Sequence, residues 1–152
     1  MSTRKTKHKK SGKSGKQARS KKLRKADTED KYVLYEQSVQ STEFEYEFVD
    51  DNFKRLRGRE AKLLREDFCG TAQMCCDWVR GRDTNQAIGV DFDPEVLEWS
   101  RANHIAKLSD EQKARVTLLQ EDVRAVKTDP VDIVLAMNFS WQIFEERKIL
   151  RD

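Results

Sequence analysis

The stretch Glu66-Asp67-Phe68-Cys69-Gly70-Thr71-Ala72 carries the clearest chemical content of this sequence. Its spacing imitates a nucleotide-binding loop of the G-x-G-x-x-G kind, with Phe68 and Ala72 where glycines would stand. Only Gly70 permits the close backbone approach that a dinucleotide needs, because a pyrophosphate lies on the loop and the helix N-terminus behind it. A less open loop with two carboxylates suits a ligand that lacks phosphates and bears positive charge. Asp91 stands twenty-one residues beyond Gly70, about where an acid accepts hydrogen bonds from ribose hydroxyls. Asp93 is the competing acid, but Pro94 after it makes it the better helix cap. In Glu121-Asp122-Val123 an acid could accept from an adenine amino group beside a backbone amide for a ring nitrogen; a solvated loop acid is the plain alternative. In Asn138-Phe139-Ser140-Trp141 the amide could orient an acceptor and the aromatics could cover a ligand, but core packing accounts for Phe139 and Trp141 equally well.

These residues matter only if secondary structure brings them to one place. Apolar residues from Tyr32 to Leu56 recur at helical spacing, with Ser41-Thr42 and Glu45 as a capping box for a second helix and Gly58 as its stop. Short apolar runs then predict strands at Ala61–Leu64, Gln86–Val90, Val116–Gln120 and Val131–Met137. The last contains the unbroken run Ile133-Val134-Leu135-Ala136-Met137, the pattern of a strand buried on both faces. Between them, Phe68–Ala72 reads as a turn and Gln73–Arg80 as a helix ending at Gly81. A further helix starts at the Asp93-Pro94 cap and carries Val96, Leu97, Ser100, His104 and Leu108 on one face. Ser109 with Gln112 forms another capping box, and Ile143–Leu150 reads as helical. Strands alternating with helices imply an α/β fold: a Rossmann-like parallel sheet with flanking helices and right-handed crossovers, whose ligands sit outside the carboxyl ends of the strands. Each candidate residue above follows a predicted strand.

Charge divides the chain. Residues 1–25 hold twelve Lys or Arg and no acid, whereas residues 26–152 hold eighteen basic and twenty-seven acidic residues, a formal −9. The predicted organisation is a disordered basic tail over 1–27, a helical segment over 28–60 and a partial cofactor-binding domain over 61–152. The tail is either a solubilising segment or an arm that contacts nucleic acid non-specifically through phosphates. No run approaches the roughly 18 apolar residues of a membrane span, and the N-terminus lacks the apolar core of a secretory signal. Three cysteines, Cys69, Cys75 and Cys76, argue for a reducing compartment, cytoplasmic or, given the tail, nuclear. Without further ligands at metal spacing they read as small packing residues, and no metal is expected. The histidines are His8 in the tail and His104 within a helix, so no general base stands out and the catalytic residues stay unassigned.

From about Tyr35 onward the sequence resembles the Rossmann-like (class I) S-adenosylmethionine (SAM)-dependent methyltransferases, and within them an uncharacterised subgroup. Leu64–Ala72, L-R-E-D-F-C-G-T-A, is similar to the first motif, Ala87–Leu97 to the second, Leu119–Val123 to the third and Asp132–Trp141 to the fourth. SAM, with its sulfonium and amino group, matches the phosphate-free, cationic ligand suggested by the first loop. The resemblance implies that Glu66 and the backbone around Phe68 and Gly70 hold the methionine part, that Asp91 binds the ribose with Phe92 against the adenine, and that Asp122 and Val123 read the adenine edge. Asn138 would face the methyl group, and Tyr35 and Gln40 would fold over the cofactor. It also implies a seven-stranded sheet, of which this sequence supplies four strands before ending at Arg151-Asp152. The expectation is therefore the cofactor-binding half of a methyltransferase, with an exposed apolar edge at its fourth strand, weak SAM binding, poor catalysis and an unidentified acceptor. A nicotinamide-dependent oxidoreductase and a nucleic-acid-binding module working through the tail are the alternatives.

Overall fold

The computed structural model describes residues 28–39 and 41–151, so the basic segment 1–27 and Gln40 lie outside the described residues. Two helices precede the sheet, α1 (Lys31–Val39) and α2 (Thr42–Arg57). Gly58 closes α2 in the left-handed region at φ 67°, its N–H donating to the Lys54 carbonyl. The capping box expected at Ser41 does not form. Ser41 is the N-cap, which makes Phe44 and not Glu45 the third helical residue, and its side chain caps nothing. The neighbouring Thr42 instead donates its hydroxyl to Asp77 Oδ2 at 2.7 Å, tying α2 to the next helix.

Four parallel strands follow: β1 (Leu63–Asp67), β2 (Gln86–Asp91), β3 (Val116–Gln120) and β4 (Ile133–Ala136), in the order β3-β2-β1-β4. Asp67 pairs with Val90 and Ala136, and Asp91 with Gln120, so the four carboxyl ends lie side by side. The order reverses at β1, which creates the crevice where parallel sheets bind ligands. Helix α3 (Gln73–Gly81) follows β1 and α4 (Pro94–Asn103) follows β2. The one-turn α5 (Asp110–Lys113) precedes β3 and carries the expected Ser109–Gln112 capping box. The core is built on α3, which buries Met74, Cys75, Cys76, Trp78 and Val79 against Leu64, Ala87 and Leu97. Trp78 donates its indole N–H to the Lys62 carbonyl at 3.1 Å and accepts at its own carbonyl from buried Asn85 at 2.8 Å, so the large ring is seated without an unsatisfied polar atom.

Several boundaries differ from the sequence reading. β1 starts two residues later than expected and includes Glu66 and Asp67; burial alternates along it, and Glu66 falls on a buried position. β4 is shorter than Val131–Met137, with Ile133 and Leu135 half-buried on one face and Val134 57% exposed on the other. An apolar run reads as two-sided burial only when a layer covers each face, and no described element covers the Val134 side. The expected helix 143–150 is a 3₁₀ turn, Ser140–Ile143, followed by the short α6 (Arg147–Arg151). His104 caps the end of α4 rather than lying within it; its Nε2 sits 2.6 Å from Glu36 on α1. None of the described helices is long and apolar enough to cross a membrane.

Candidate functional site

The loop between β1 and α3 is shaped by three residues with left-handed backbone: Phe68 (φ 60°), Gly70 (φ 52°) and Ala72 (φ 54°). Two of these are the positions where glycines were expected. The backbone therefore keeps the glycine conformation without the glycines, at a strain of about 1–2 kcal/mol for each side chain. The Cys69 N–H donates to the Val90 carbonyl at 3.0 Å and the Ala72 N–H to the Cys69 carbonyl at 2.8 Å, which fixes the turn over the end of β2. A Cβ built on Gly70 would meet no atom, so its backbone faces open space.

Asp91 ends β2 directly beside this loop. Its Oδ2 accepts from the Gly70 N–H at 2.8 Å and its Oδ1 from the Asp93 N–H at 2.9 Å. Two backbone donors hold the carboxylate plane and leave lone pairs on both oxygens for a ligand. Asp93 is the N-cap, as read from the sequence, accepting from the Glu95 N–H at 2.8 Å.

Phe68, Gly70, Thr71, Asp91 and Asp93 line an open cavity of about 440 Å³, together with Tyr32 and Tyr35 of α1. Phe68 also lines a second cavity of about 320 Å³, with Phe92, Phe144, Asp122, Val123 and Arg124. The shared Phe68 ring, 5.9 Å from the Phe144 ring, is the partition between them. The first cavity is acidic, because its one lysine, Lys31, is paired with Glu95 at 2.8 Å. The second is mostly apolar. Asp122 at its rim is clasped by the Arg124 guanidinium, which holds its carboxyl down at about 2; Arg124 in turn lies 5.6 Å over the Phe144 ring.

The two remaining candidates are placed differently. Glu66 lines neither cavity: it is buried beneath the loop, its Oε2 accepting from the Cys75 thiol at 3.2 Å. Burial pushes its carboxyl up to about 8, helped by the nearby Glu45 and Asp91 carboxylates. It supports the loop from below. Asn138 also lines neither cavity, but its Nδ2 donates to the Tyr35 hydroxyl at 3.1 Å and Ser140 beside it reaches the first. Asn138 and Phe139 are both left-handed (φ 54° and 59°), a backbone kink that turns Phe139 outward, 72% exposed; it is not a core residue.

Sequence reasoning missed Tyr32, Arg124 and Phe144. Tyr32 was read only as one apolar member of a helical face, Arg124 followed an acid without any motif, and Phe144 fell inside an expected helix. The three thiols are buried packing groups, raised by burial, Cys76 to about 12. His104 lines neither cavity.

No family model matches the chain, and no curated protein matches it. Solved structures do. SAM-bound CalS10, an amino pentose methyltransferase from Micromonospora echinaspora, aligns over 79% of this chain at 19% identity with a TM-score of 0.61. The sugar N-methyltransferase KedS8 from Streptoalloteichus sp ATCC 53650 aligns over 90% at 21% identity and 0.60. The plantazolicin methyltransferase BpumL, in complex with a desmethylPZN analog and SAH, aligns over 79% at 14% identity and 0.63. The chain spans 46%, 51% and 45% of those chains, about half their length. It therefore shares the Rossmann-like fold of SAM-dependent methyltransferases, with four strands of parallel sheet and the crevice at their carboxyl ends.

Proposed function

We propose that this chain binds SAM across its two linked cavities and serves the transfer of the SAM methyl group to an acceptor. The observation that carries the reading is Asp91, fixed by two backbone N–H groups at the mouth of the acidic cavity and next to the aromatic one. The donor set fits the cofactor. Carboxylates without a free cation suit a sulfonium and an ammonium, Asp91 suits a ribose, and the slot between Phe68, Phe92 and Phe144 suits a purine. The cavity sizes fall in the range for small-molecule sites. A nicotinamide dinucleotide fits less well, because Phe68 and Ala72 carry side chains where a pyrophosphate needs bare backbone.

Bound there, SAM supplies a methyl group already activated on sulfur. The work left to the protein is position and orientation. Asp91 would anchor the ribose, the Phe68–Ala72 backbone the methionine part, and the aromatic slot would exclude water from the purine faces. The Asn138–Tyr35 pair, whose tyrosine lines the acidic cavity, would orient the acceptor. Neither cavity is lined by a histidine among the described residues, and no general base is assigned.

Thermal denaturation with SAM, S-adenosylhomocysteine (SAH) and NAD⁺ tests the proposal. SAM and SAH should raise Tm by several degrees and NAD⁺ should not; the reverse order would point to an oxidoreductase. A second reading concerns the partner. The twelve basic residues among 1–25 support contact with nucleic acid, in a reducing compartment of the cell. RNA affinity of the full chain should then fall steeply with salt and be lost when residues 1–25 are removed.

A further inference from the structure

Helix α2 carries aromatic residues on two sides, and only one side faces the core. Phe53 is buried, and Tyr46 packs on Trp78 of α3 with centroids 5.3 Å apart. Phe44 stands nine residues before Phe53. That is about two and a half turns of an α-helix, so Phe44 points the opposite way. Phe48, one turn further along, shares the outward side. The two rings are 66% and 59% exposed and stack on each other, centroids 6.3 Å apart. Large apolar groups set together opposite the core mark a contact surface, not scattered exposure.

The charges around these rings select the occupant. Phe44, Phe48, Asp51 and Arg55 recur at spacings of four, three and four, the seam pattern of paired helices. Glu47 and Lys54 flank that seam on one side, seven residues apart. Every acid of α2, from Glu43 to Asp51, precedes every base, from Lys54 to Arg57. Such a helix repels a parallel copy of itself and attracts an antiparallel one. In the antiparallel register, Phe44 lies opposite the partner's Arg55, whose guanidinium can cover the ring. Phe48 then lies beside the partner's Phe48, and Glu47 meets the partner's Lys54. Little holds these groups back. Among the described residues no ion pair engages the Glu47 carboxylate, the Lys54 ammonium has only Glu60 at 3.7 Å, and the Arg55 guanidinium has only Asn52 at 3.0 Å. The chain's own basic segment 1–25 matches the acids but has no carboxylate for Lys54 and Arg55; a second α2 offers both signs in the required order. We propose that the outward face of α2 is a self-association surface, on which two copies of the chain pair antiparallel about a twofold axis between Phe48 and Asp51. The surface uses no residue that lines the crevice, so it does not depend on what the crevice binds.

Sedimentation velocity of the full chain over a range of concentrations tests the proposal. One helix pair is a small interface, so a monomer–dimer equilibrium with Kd on the order of tens of micromolar is expected. Replacing both rings, Phe44→Ser with Phe48→Ser, should weaken it at least about tenfold, the scale of central aromatic anchors, with the far-UV circular dichroism unchanged. Glu47→Lys alone and Lys54→Glu alone should each weaken it severalfold by setting like charges opposite one another, and mixing the two variants should restore it. Both charge changes fall on exposed positions, so this swap decides the matter even if the serine variant misfolds. Val134→Lys, at the β4 edge, should leave the dimer unchanged. A chain that stays monomeric well above the expected Kd, a dimer indifferent to a folded serine variant, one lost with Val134→Lys, or a mixture of the charge variants no stronger than either alone would each overturn the proposal.

Discussion

Glu66 shows how a residue beside the candidate site can be buried beneath it without lining it. The alternation of β1 places it inward, under the Phe68–Ala72 loop, where its carboxyl accepts from the Cys75 thiol. Its proton is held more tightly in the folded chain, up to about 8, than at the ordinary value of 4.5. Stability from this group is therefore full below about pH 4.5 and declines as pH rises to about 8, at roughly 1 kcal/mol per pH unit. Denaturant unfolding at pH 5 and pH 8 should show Glu66→Gln nearly equal to the parent at the lower pH and more stable at the higher; equal pH slopes would refute it. Gly70 makes a separate prediction. A Cβ there meets nothing but must sit at φ 52°, so Gly70→Ala should cost about 1–2 kcal/mol by backbone strain alone, read as a shift in denaturant midpoint. At this scale the sequence was legible where position alone determines role. Asp91 and Asp93 follow an apolar run and precede a proline, and the structure places them as strand end and helix cap. The burial of Glu66 was not legible, because an acid after a short apolar run looks like the start of a loop.

At the scale of elements, specific contacts set the boundaries. Asp132, just before β4, accepts from the N–H groups of Lys62 and Leu63 at 2.7 and 3.2 Å and from Arg59 at 2.6 Å, so it pins the start of β1 to the start of β4. Asp132→Ala should cost about 1–3 kcal/mol by orphaning those donors, measured by chemical denaturation. Gly81 at the end of α3 sits against Tyr46 of α2: a Cβ there would lie 2.3 Å from the Tyr46 hydroxyl. Gly81→Ala should thus displace Tyr46 and destabilise by about 1–3 kcal/mol, although alanine favours helices. Local chemistry explains which elements could be read in advance. The Asp93-Pro94 start and the Ser109–Gln112 box are complete within four residues, and both formed. The Ser41 box failed because the helix began one residue off its register and Thr42 found a distant partner in Asp77. The 143–150 helix failed because apolar spacing alone does not hold a segment that packs on little.

At the largest scale, the described residues form a parallel sheet with the candidate crevice at its carboxyl end and β4 along one edge. β4 lies at the sheet edge with Val134 exposed, and Phe139, Trp141 and Ile143 add apolar surface beyond it. An unpaired apolar edge favours association, so Val134→Lys should reduce light scattering of the 152-residue chain on warming while changing stability by no more than about 0.5 kcal/mol. Alternating periodicity made the parallel α/β class legible from sequence, and the motif order placed the ligand crevice. The division of that crevice by Phe68, and the part played by Tyr32, Arg124 and Phe144, arise from residues distant in sequence and carry no local signal. The central claim is that Asp91 organises a SAM site. Isothermal titration of SAH into the full chain and into Asp91→Ala tests it most directly. The account predicts measurable one-to-one binding to the parent and a loss of at least about tenfold in the variant, as for a hydrogen bond to a charged group; equal affinity in the two proteins, or no binding to the parent, would contradict it.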